Sequence, residues 1–224
     1  MIKFCGALDI TSTLPTDQEP LLKSMLGIDW VFPHSYEAEG LPELPGTGTF
    51  DVPVLYFPVP QNRPEHNGLW LRMVPATGKP WIGVFAFLFD SPHNFSRVVS
   101  TPNADCVCVI SGSAGYIVKV EKPEIWEKIV IPVLSVRSLP EHELLLFADF
   151  TGLAAYGRNG LAWRSPRLCW DELQILNVTP NTIEGTGYDP TNSVSNESRF
   201  AVDIATGRSL LPCPTTFTDG KPVW

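Results

Sequence analysis

Acidic residues at the ends of predicted strands are the side chains of this sequence best suited to catalysis. Asp149 and Asp189 close two stretches that align with each other, and Asp90 follows the apolar run WIGVFAFLF. Carboxylates at neighbouring strand ends could meet at one rim, and two of them about 5–9 Å apart can hydrolyse a glycosidic bond. An acidic residue after a strand also accepts hydrogen bonds from the backbone two residues further on and so forms a turn. The sequence favours the turn interpretation and leaves the three carboxylates as catalytic candidates.

Histidines are the second set of residues that could take part in catalysis. His93 lies three residues after Asp90, and the two could pair as a general base and its orienting acid if the loop folds back. None of the histidines stands at a spacing typical of metal ligands; they are His34, His66, His93 and His142. We expect most of them to be solvated, and only His93 joins the carboxylates as a catalytic candidate.

No other segment has the residues that a catalytic or cofactor motif requires. The segment SGSAG at 111–115 lacks a glycine two residues before its central serine, and a strand is predicted after it, so it is not a nucleophile elbow. The five cysteines include no CxxC pair. Cys106 and Cys108 would share one face of a strand, where we expect them to pack as small apolar residues. The sequence therefore predicts no metal and no cofactor.

Aromatic residues are candidates for ligand binding. Trp126 and Trp163 fall near corresponding places in successive units of the chain, and Tyr188 directly precedes Asp189. If they point outward, these rings could form a stacking platform for a sugar or a partner. If they point inward, each tryptophan would bury about 150–250 Å² between sheets. The inward interpretation is favoured for the tryptophans.

The elements that must position these residues come from a repeat of about 40 residues in the second half of the chain. Stretches 100–111, 138–149 and 178–189 align without a gap. Each has a proline at its third place, and each ends on a turn-forming polar residue, Ser111, Asp149 or Asp189. A fixed period of this length indicates one supersecondary unit used several times, with neighbours covering each other's apolar faces.

The predicted strands are short and separated by turn residues, in keeping with 22 prolines and 17 glycines. Asn159-Gly160, for example, suits a two-residue hairpin turn. We group the strands at 106–110, 116–120, 125–131 and 133–136 into one unit. Those at 144–148, 153–156, 161–164 and 173–177 form the next, and those at 183–188, 199–204 and 208–211 begin a third. Four strands in about 40 residues is the spacing of a propeller blade.

Two stretches carry a resemblance to known repeats. GLAAYGRNGLAW at 152–163 and SRFAVDIATGRSLL at 198–211 resemble the outer hairpins of quinoprotein-like or WD-like blades. The longer stretch LAWRSPRLCWDELQILNV, with IEGTGYD and FAVDIATG after it, is similar to a family of uncharacterised bacterial proteins. The resemblance spans roughly residues 81–211 and implies blade-like β repeats but no particular activity. Three units and a partial one are few for a closed propeller, which typically has about 4–8 blades.

The sequence predicts an all-β protein of antiparallel four-stranded meanders, arranged as a propeller-like or open stack, with a β-sandwich as the alternative. Residues 1–50 are expected to be an irregular N-terminal elaboration with one short helix at 19–26. Residues 51–211 are expected to be the β domain with its repeats, and residues 212–224 a C-terminal tail.

Charge and cysteine content limit the classes of partner and the cellular location that we expect. A net charge of −8 disfavours nucleic acid and anionic membranes as partners, since both are bound through basic patches. The odd number of cysteines and the absence of a recognisable export signal or apolar span suggest a cytoplasmic protein. We expect a non-catalytic binding or protein-interaction module that binds another protein or self-associates. The alternatives are a hydrolase or lyase acting on a carbohydrate or small molecule through loop carboxylates, and a structural subunit of an assembly.

Overall fold

The protein consists of short β-strands. The computed structural model describes residues 26–41, 50–58, 68–88, 95–129, 132–192 and 194–213. These residues form sixteen strands and one short 3-10 turn, Pro140–His142, with no α-helix among them. The predicted all-β class is confirmed. The predicted helix at 19–26 lies, apart from its last residue, outside the described residues. No helix within the described ranges has the length and apolar character needed to cross a membrane.

The strands pair into four sheets, which we number I to IV. Sheet I contains β2 (Tyr36–Gly40), β3 (Val54–Phe57), β4 (Gly68–Pro75) and β5 (Trp81–Ala86). Sheet II contains β1 (Gly27–Asp29), β6 (Arg97–Ser100), β7 (Cys106–Ser111), β8 (Ala114–Lys119) and β9 (Trp126–Lys128). Sheet III contains β10 (Ser135–Leu139), β11 (Leu144–Ala148), β12 (Leu153–Gly157) and β13 (Gly160–Arg164). Sheet IV contains β14 (Asp171–Val178), β15 (Thr182–Tyr188) and β16 (Glu197–Asp203).

Antiparallel meanders of consecutive strands make up most of sheets II, III and IV. The meanders are β6-β7-β8-β9, β10-β11-β12-β13 and β14-β15-β16. In place of the predicted strand at 208–211, sheet IV has a single bridge between Val202 and Ser209. The predicted grouping of strands is wrong by one strand. The strand predicted at 133–136 corresponds to β10, which pairs with β11 and so begins sheet III. The strand predicted at 173–177 corresponds to β14 and begins sheet IV.

The three stretches that align in the sequence cover the same part of each meander. Each runs from the end of the first strand to the end of the second, as Ser100 ends β6 and Ser111 ends β7. The prolines at the third place, Pro102, Pro140 and Pro180, all follow the first strand. Proline cannot donate a hydrogen bond to a sheet, so at these points it helps to end the strand.

Strands β1 and β2 lie within residues 1–50, where the sequence predicts irregular structure. β1 pairs in parallel with β6, and β2 pairs antiparallel with β4. The sequence of β2, YEAEG, has two glutamates and a glycine, so it carries little of the apolar signal of a strand. Its position is fixed by long-range contacts instead. The buried Tyr36 at its start donates a hydrogen bond from its hydroxyl to the carbonyl of Cys106, at 2.9 Å.

The sheets stack face to face in the order I, II, III, IV, with an apolar layer between each pair. Tyr116 lies in the layer between sheets I and II, Phe147 in that between II and III, and Phe200 in that between III and IV. Sheets II and III are covered on both faces, which explains the almost continuous burial of β7 (CVCVIS) and β11 (LLLFA). Four sheets in series form an open stack rather than the two facing layers of the alternative β-sandwich.

A buried thiol and a buried phenol in these layers make the stability of the fold depend on pH in the alkaline range. Burial raises the pKa of Cys169 from 9.0 to about 11 and that of Tyr116 from 10.0 to about 12. The folded protein keeps both protons at a pH where the unfolded chain has lost them. Stability is therefore fully present below about pH 9 and is lost as the pH rises toward about 12. We expect the free energy of unfolding, measured by urea titration, to fall across this range.

The matched variant is Tyr116→Phe. It removes the ionisable hydroxyl, which donates to the carbonyl of Ala86 at 3.0 Å. The variant is expected to lose some stability at neutral pH and to show a shallower decline above pH 10, the ordinary pKa of tyrosine. An unchanged slope would mean that Tyr116 does not contribute to the alkaline transition.

Candidate functional site

The two predicted catalytic carboxylates in the described part of the chain each hold their own turn. One oxygen of Asp149, Oδ1, accepts hydrogen bonds from the backbone amides of Thr151 and Gly152, both at 2.7 Å. Oδ1 of Asp189 accepts from the amide of Thr191 at 2.9 Å and from its hydroxyl at 2.6 Å. The cleft beside Asp149 is lined by residues within 149–154 and 164–167 and does not include Asp189. Both carboxylates thus have the turn-forming role that the sequence favours.

The other predicted catalytic residues, Asp90 and His93, lie outside the described residues. Ser111, which ends the first aligned stretch, is buried and links two sheets. Its hydroxyl donates to the carbonyl of Phe85 in β5 at 2.6 Å and accepts from the amide of Leu69 in β4 at 3.2 Å. Among the residues described, no group of three or more His, Cys, Asp or Glu side chains is placed to hold a metal ion.

The side chains of the two candidate tryptophans each pack in a layer between two sheets. Trp163, on β13, is 8% exposed in the layer between sheets III and IV, and its indole nitrogen donates to the carbonyl of Ile204 at 2.9 Å. Trp126, on β9, packs edge-on against Phe57 with ring centres 5.7 Å apart, in the layer between sheets I and II. Trp126 also lines two surface clefts, one on each side of β9. Trp163 is thus placed for packing, whereas Trp126 retains an edge toward solvent.

Tyr188 is the candidate binding residue that the structure leaves accessible, with 40% of its surface exposed. It ends β15 and pairs with Asp171 of β14 and Glu197 of β16. Side chains alternate between the faces of a strand, so Ile183 of β15 points toward sheet III while Glu184 and Tyr188 point away from it. Tyr188 therefore belongs to the outer face of sheet IV, the last sheet of the stack.

This outer face combines negative charge with exposed apolar side chains. We call it the acidic face and define it by the outward residues Asp171, Glu184, Tyr188, Glu197, Arg199, Asp203, Arg208 and Leu210. Four carboxylates stand there against two guanidinium groups, and Arg208 acts on Asp203. Leu210 is 54% exposed and joins the face through its amide, which donates to the carbonyl of Ala201 at 2.7 Å. Leu176, 64% exposed at a bulge of β14, lies at its border.

The alternation of residues in β15 and β16 contains the signal for the acidic face. In TIEGTGY, the residues Ile183, Gly185 and Gly187 alternate with Glu184, Thr186 and Tyr188. Such alternation predicts one packed and one exposed face of a strand. Tyr188 alone was singled out from the sequence, because the carboxylates around it come from three different strands.

Comparisons of the chain with protein-family models, with curated proteins and with solved structures find no match. The acidic face is therefore interpreted from its own geometry and charge.

Proposed function

We propose that this protein is a non-catalytic protein-interaction module that binds a basic polypeptide through its acidic face. The observation that carries the proposal is the combination, on the outer face of sheet IV, of four carboxylates and exposed apolar side chains with two arginines. No further sheet covers this face in the described part of the chain.

The position of the acidic face in the stack supports a role in binding. Sheets II and III bury both of their faces, because each has an apolar neighbour on either side. Sheet IV buries only the face toward sheet III, through residues such as Ile183 and Phe200. A polar outer face at the end of a stack is solvated by water, so no further unit has to cover it. It is also the face where a partner can dock without disturbing the layers beneath.

Charge indicates the chemistry of the partner. Carboxylates on three adjacent strands outnumber the arginines of the face by four to two, and the whole chain carries a net charge of −8. A surface of one sign attracts partners of the opposite sign and raises the rate of encounter. Tyr188 and Leu210 supply the apolar contact that a charged surface lacks, and tyrosine is enriched at protein interfaces. The partner that fits is a lysine- or arginine-rich segment with interspersed apolar residues.

The blade-like repeats and the cytoplasmic location predicted from the sequence belong to the same proposal. Blade-like β repeats of the quinoprotein or WD type, as in the uncharacterised bacterial family that the sequence resembles, would present a docking face of this kind. The described cysteines, Cys106, Cys108, Cys169 and Cys213, are free thiols, which supports a reducing, cytoplasmic setting for the interaction.

The test is a binding measurement with a short fluorescein-labelled peptide of alternating lysine and leucine. The same peptide with glutamate in place of lysine serves as the control probe. We expect anisotropy to show binding of the basic peptide alone, with an affinity that falls as salt is added, because surface charges are screened. The double variant Glu184→Lys/Glu197→Lys is expected to weaken binding about tenfold, since each exposed charge contact contributes up to about 1 kcal/mol.

The matched control is the double variant Glu37→Lys/Glu39→Lys, which makes the same charge change on two exposed side chains of β2 in sheet I, at the other end of the stack. It should leave the affinity within about twofold of the original if binding is local to the acidic face. Equal losses in this control and in Glu184→Lys/Glu197→Lys would show that only net charge matters and would contradict the proposal. Binding of the glutamate peptide, or of neither peptide, would also contradict it.

A further inference from the structure

A cleft between sheets II and III forms a second candidate site, distinct from the acidic face. It has a volume of about 410 Å³, which is within the range of pockets for small molecules. One wall is the face of β8 and β9 that carries Ile117, Lys119 and Glu127. The other is the hairpin turn between β12 and β13, at residues 157–160. The side-chain amide of Asn103 donates to the carbonyl of Arg158 at 3.0 Å and joins the two walls at one end.

The cleft is lined by two oppositely charged side chains, Lys119 and Glu127, that do not pair with each other. Lys119 and Glu127 both act on the Cys106 thiol, Lys119 lowering and Glu127 raising its pKa, so both lie near that side chain. Within the described ranges the only ion pair joins Arg158 to Glu143, at 3.9 Å, and the side chains of Lys119 and Glu127 make no hydrogen bond there. An ammonium and a carboxylate therefore line one cleft without satisfying each other.

The surroundings of Glu127 are shaped by the hairpin turn, although its side chain is exposed. Partial loss of water around the carboxylate raises its pKa. The hairpin approaches it closely, because a Cβ added to Gly160 would lie 3.6 Å from Glu127 Oε1. Gly160 has φ +97°, a conformation that glycine adopts readily. The turn thus brings backbone close to the carboxylate and leaves space between the walls.

Apolar side chains line the remainder of the cleft. Ile117 and Ile125 contribute to it, and Ile125 is 54% exposed. An apolar surface next to separated charges matches a molecule that has both charges and a hydrocarbon or aromatic part.

We propose that this cleft binds a small zwitterion with an apolar group, such as a free apolar α-amino acid. The ligand carboxylate pairs with Lys119, the ligand ammonium pairs with Glu127, and the apolar group lies against Ile117 and Ile125. Each charged group of the ligand then meets a side chain that makes no ion pair in the described part of the chain. Cys106 borders the site without taking part in a reaction, since burial raises the pKa of its thiol and keeps it protonated.

The experiment is a titration of the whole chain with L-leucine, L-isoleucine, L-methionine, L-phenylalanine and L-tryptophan, followed by NMR or calorimetry. We expect at least one to bind with a dissociation constant of about 1 mM or tighter, in keeping with the size of these ligands. Its N-acetyl and carboxamide derivatives, each lacking one charge, should bind about tenfold more weakly.

Lys119→Gln and Glu127→Gln should each weaken binding of the same amino acid about tenfold. Lys122→Gln and Glu124→Gln, which change exposed residues in the turn before β9, are the matched controls and should leave it unchanged. All four variants keep the apolar layers intact, and unchanged thermal unfolding would verify that they fold. Absence of binding by all five amino acids would overturn the proposal, as would equal effects of cleft and control variants. Either result would leave binding of the basic peptide to the acidic face unaffected.

Discussion

Replacing Trp163 with alanine is expected to lower the free energy of unfolding by about 3–5 kcal/mol. The side chain is 8% exposed in the layer between sheets III and IV, next to buried residues such as Ile183 and Val202. Alanine would leave a cavity the size of an indole ring there. It would also leave the carbonyl of Ile204 without the hydrogen bond that the indole nitrogen donates.

Two further variants separate packing from hydrogen bonding. Trp163→Phe keeps an aromatic ring but removes the donor to Ile204, so it should cost less, about 1–2 kcal/mol. Leu161→Ala changes a residue on the same strand that is 46% exposed, and a loss below about 1 kcal/mol is expected. Chemical denaturation of the three variants provides the measurement. If Trp163→Ala cost no more than Leu161→Ala, the ring would not be part of the core.

The strands of the second half could be predicted from the sequence because their signal is local. The run LLLFA of β11 lies between turn residues, and its bounds, Leu144–Ala148, are those predicted. The pairing of strands depends on distant parts of the chain and could not be predicted in the same way. β1 pairs with β6, which follows it by about 70 residues. β3 pairs in parallel with β5, although β4 lies between these two strands in the sequence. The strand after β9 looks like a continuation of sheet II, yet it begins sheet III.

The candidate sites show the same division between local and long-range information. The sequence identified Asp149 and Asp189 as strand-end carboxylates and favoured their role in turns, a role that depends only on the next two or three residues. The cleft between sheets II and III depends on segments around residues 103, 119, 127 and 158, which are brought together only by stacking. No spacing within the chain marks these residues as neighbours, so sequence reasoning did not find them.

Gly185→Ala is expected to destabilise the protein by about 3 kcal/mol, the upper part of the range for overpacked cores. Gly185 lies in the middle of β15, opposite Ile175 and Phe200 on the face toward sheet III. A Cβ atom at this position would overlap the carbonyl oxygen of Gln174 and the ring of Phe200. The first is backbone of the adjacent strand, and the second is a buried ring, so neither can move away without disturbing the layer between sheets III and IV.

The matched control is Gly157→Ala in β12, where the nearest atoms to an added Cβ lie 3.7 Å away, at ordinary van der Waals distance. We expect that variant to change the free energy of unfolding by less than about 1 kcal/mol, because alanine reduces the freedom of the unfolded chain and meets no obstacle in the folded one. Urea denaturation of both variants, followed by circular dichroism, measures the difference between them. A similar small effect at both positions would mean that Gln174 and Phe200 do not pack closely against Gly185. The layer beneath the acidic face would then be less closely packed than the short distance between Gly185 and Phe200 implies.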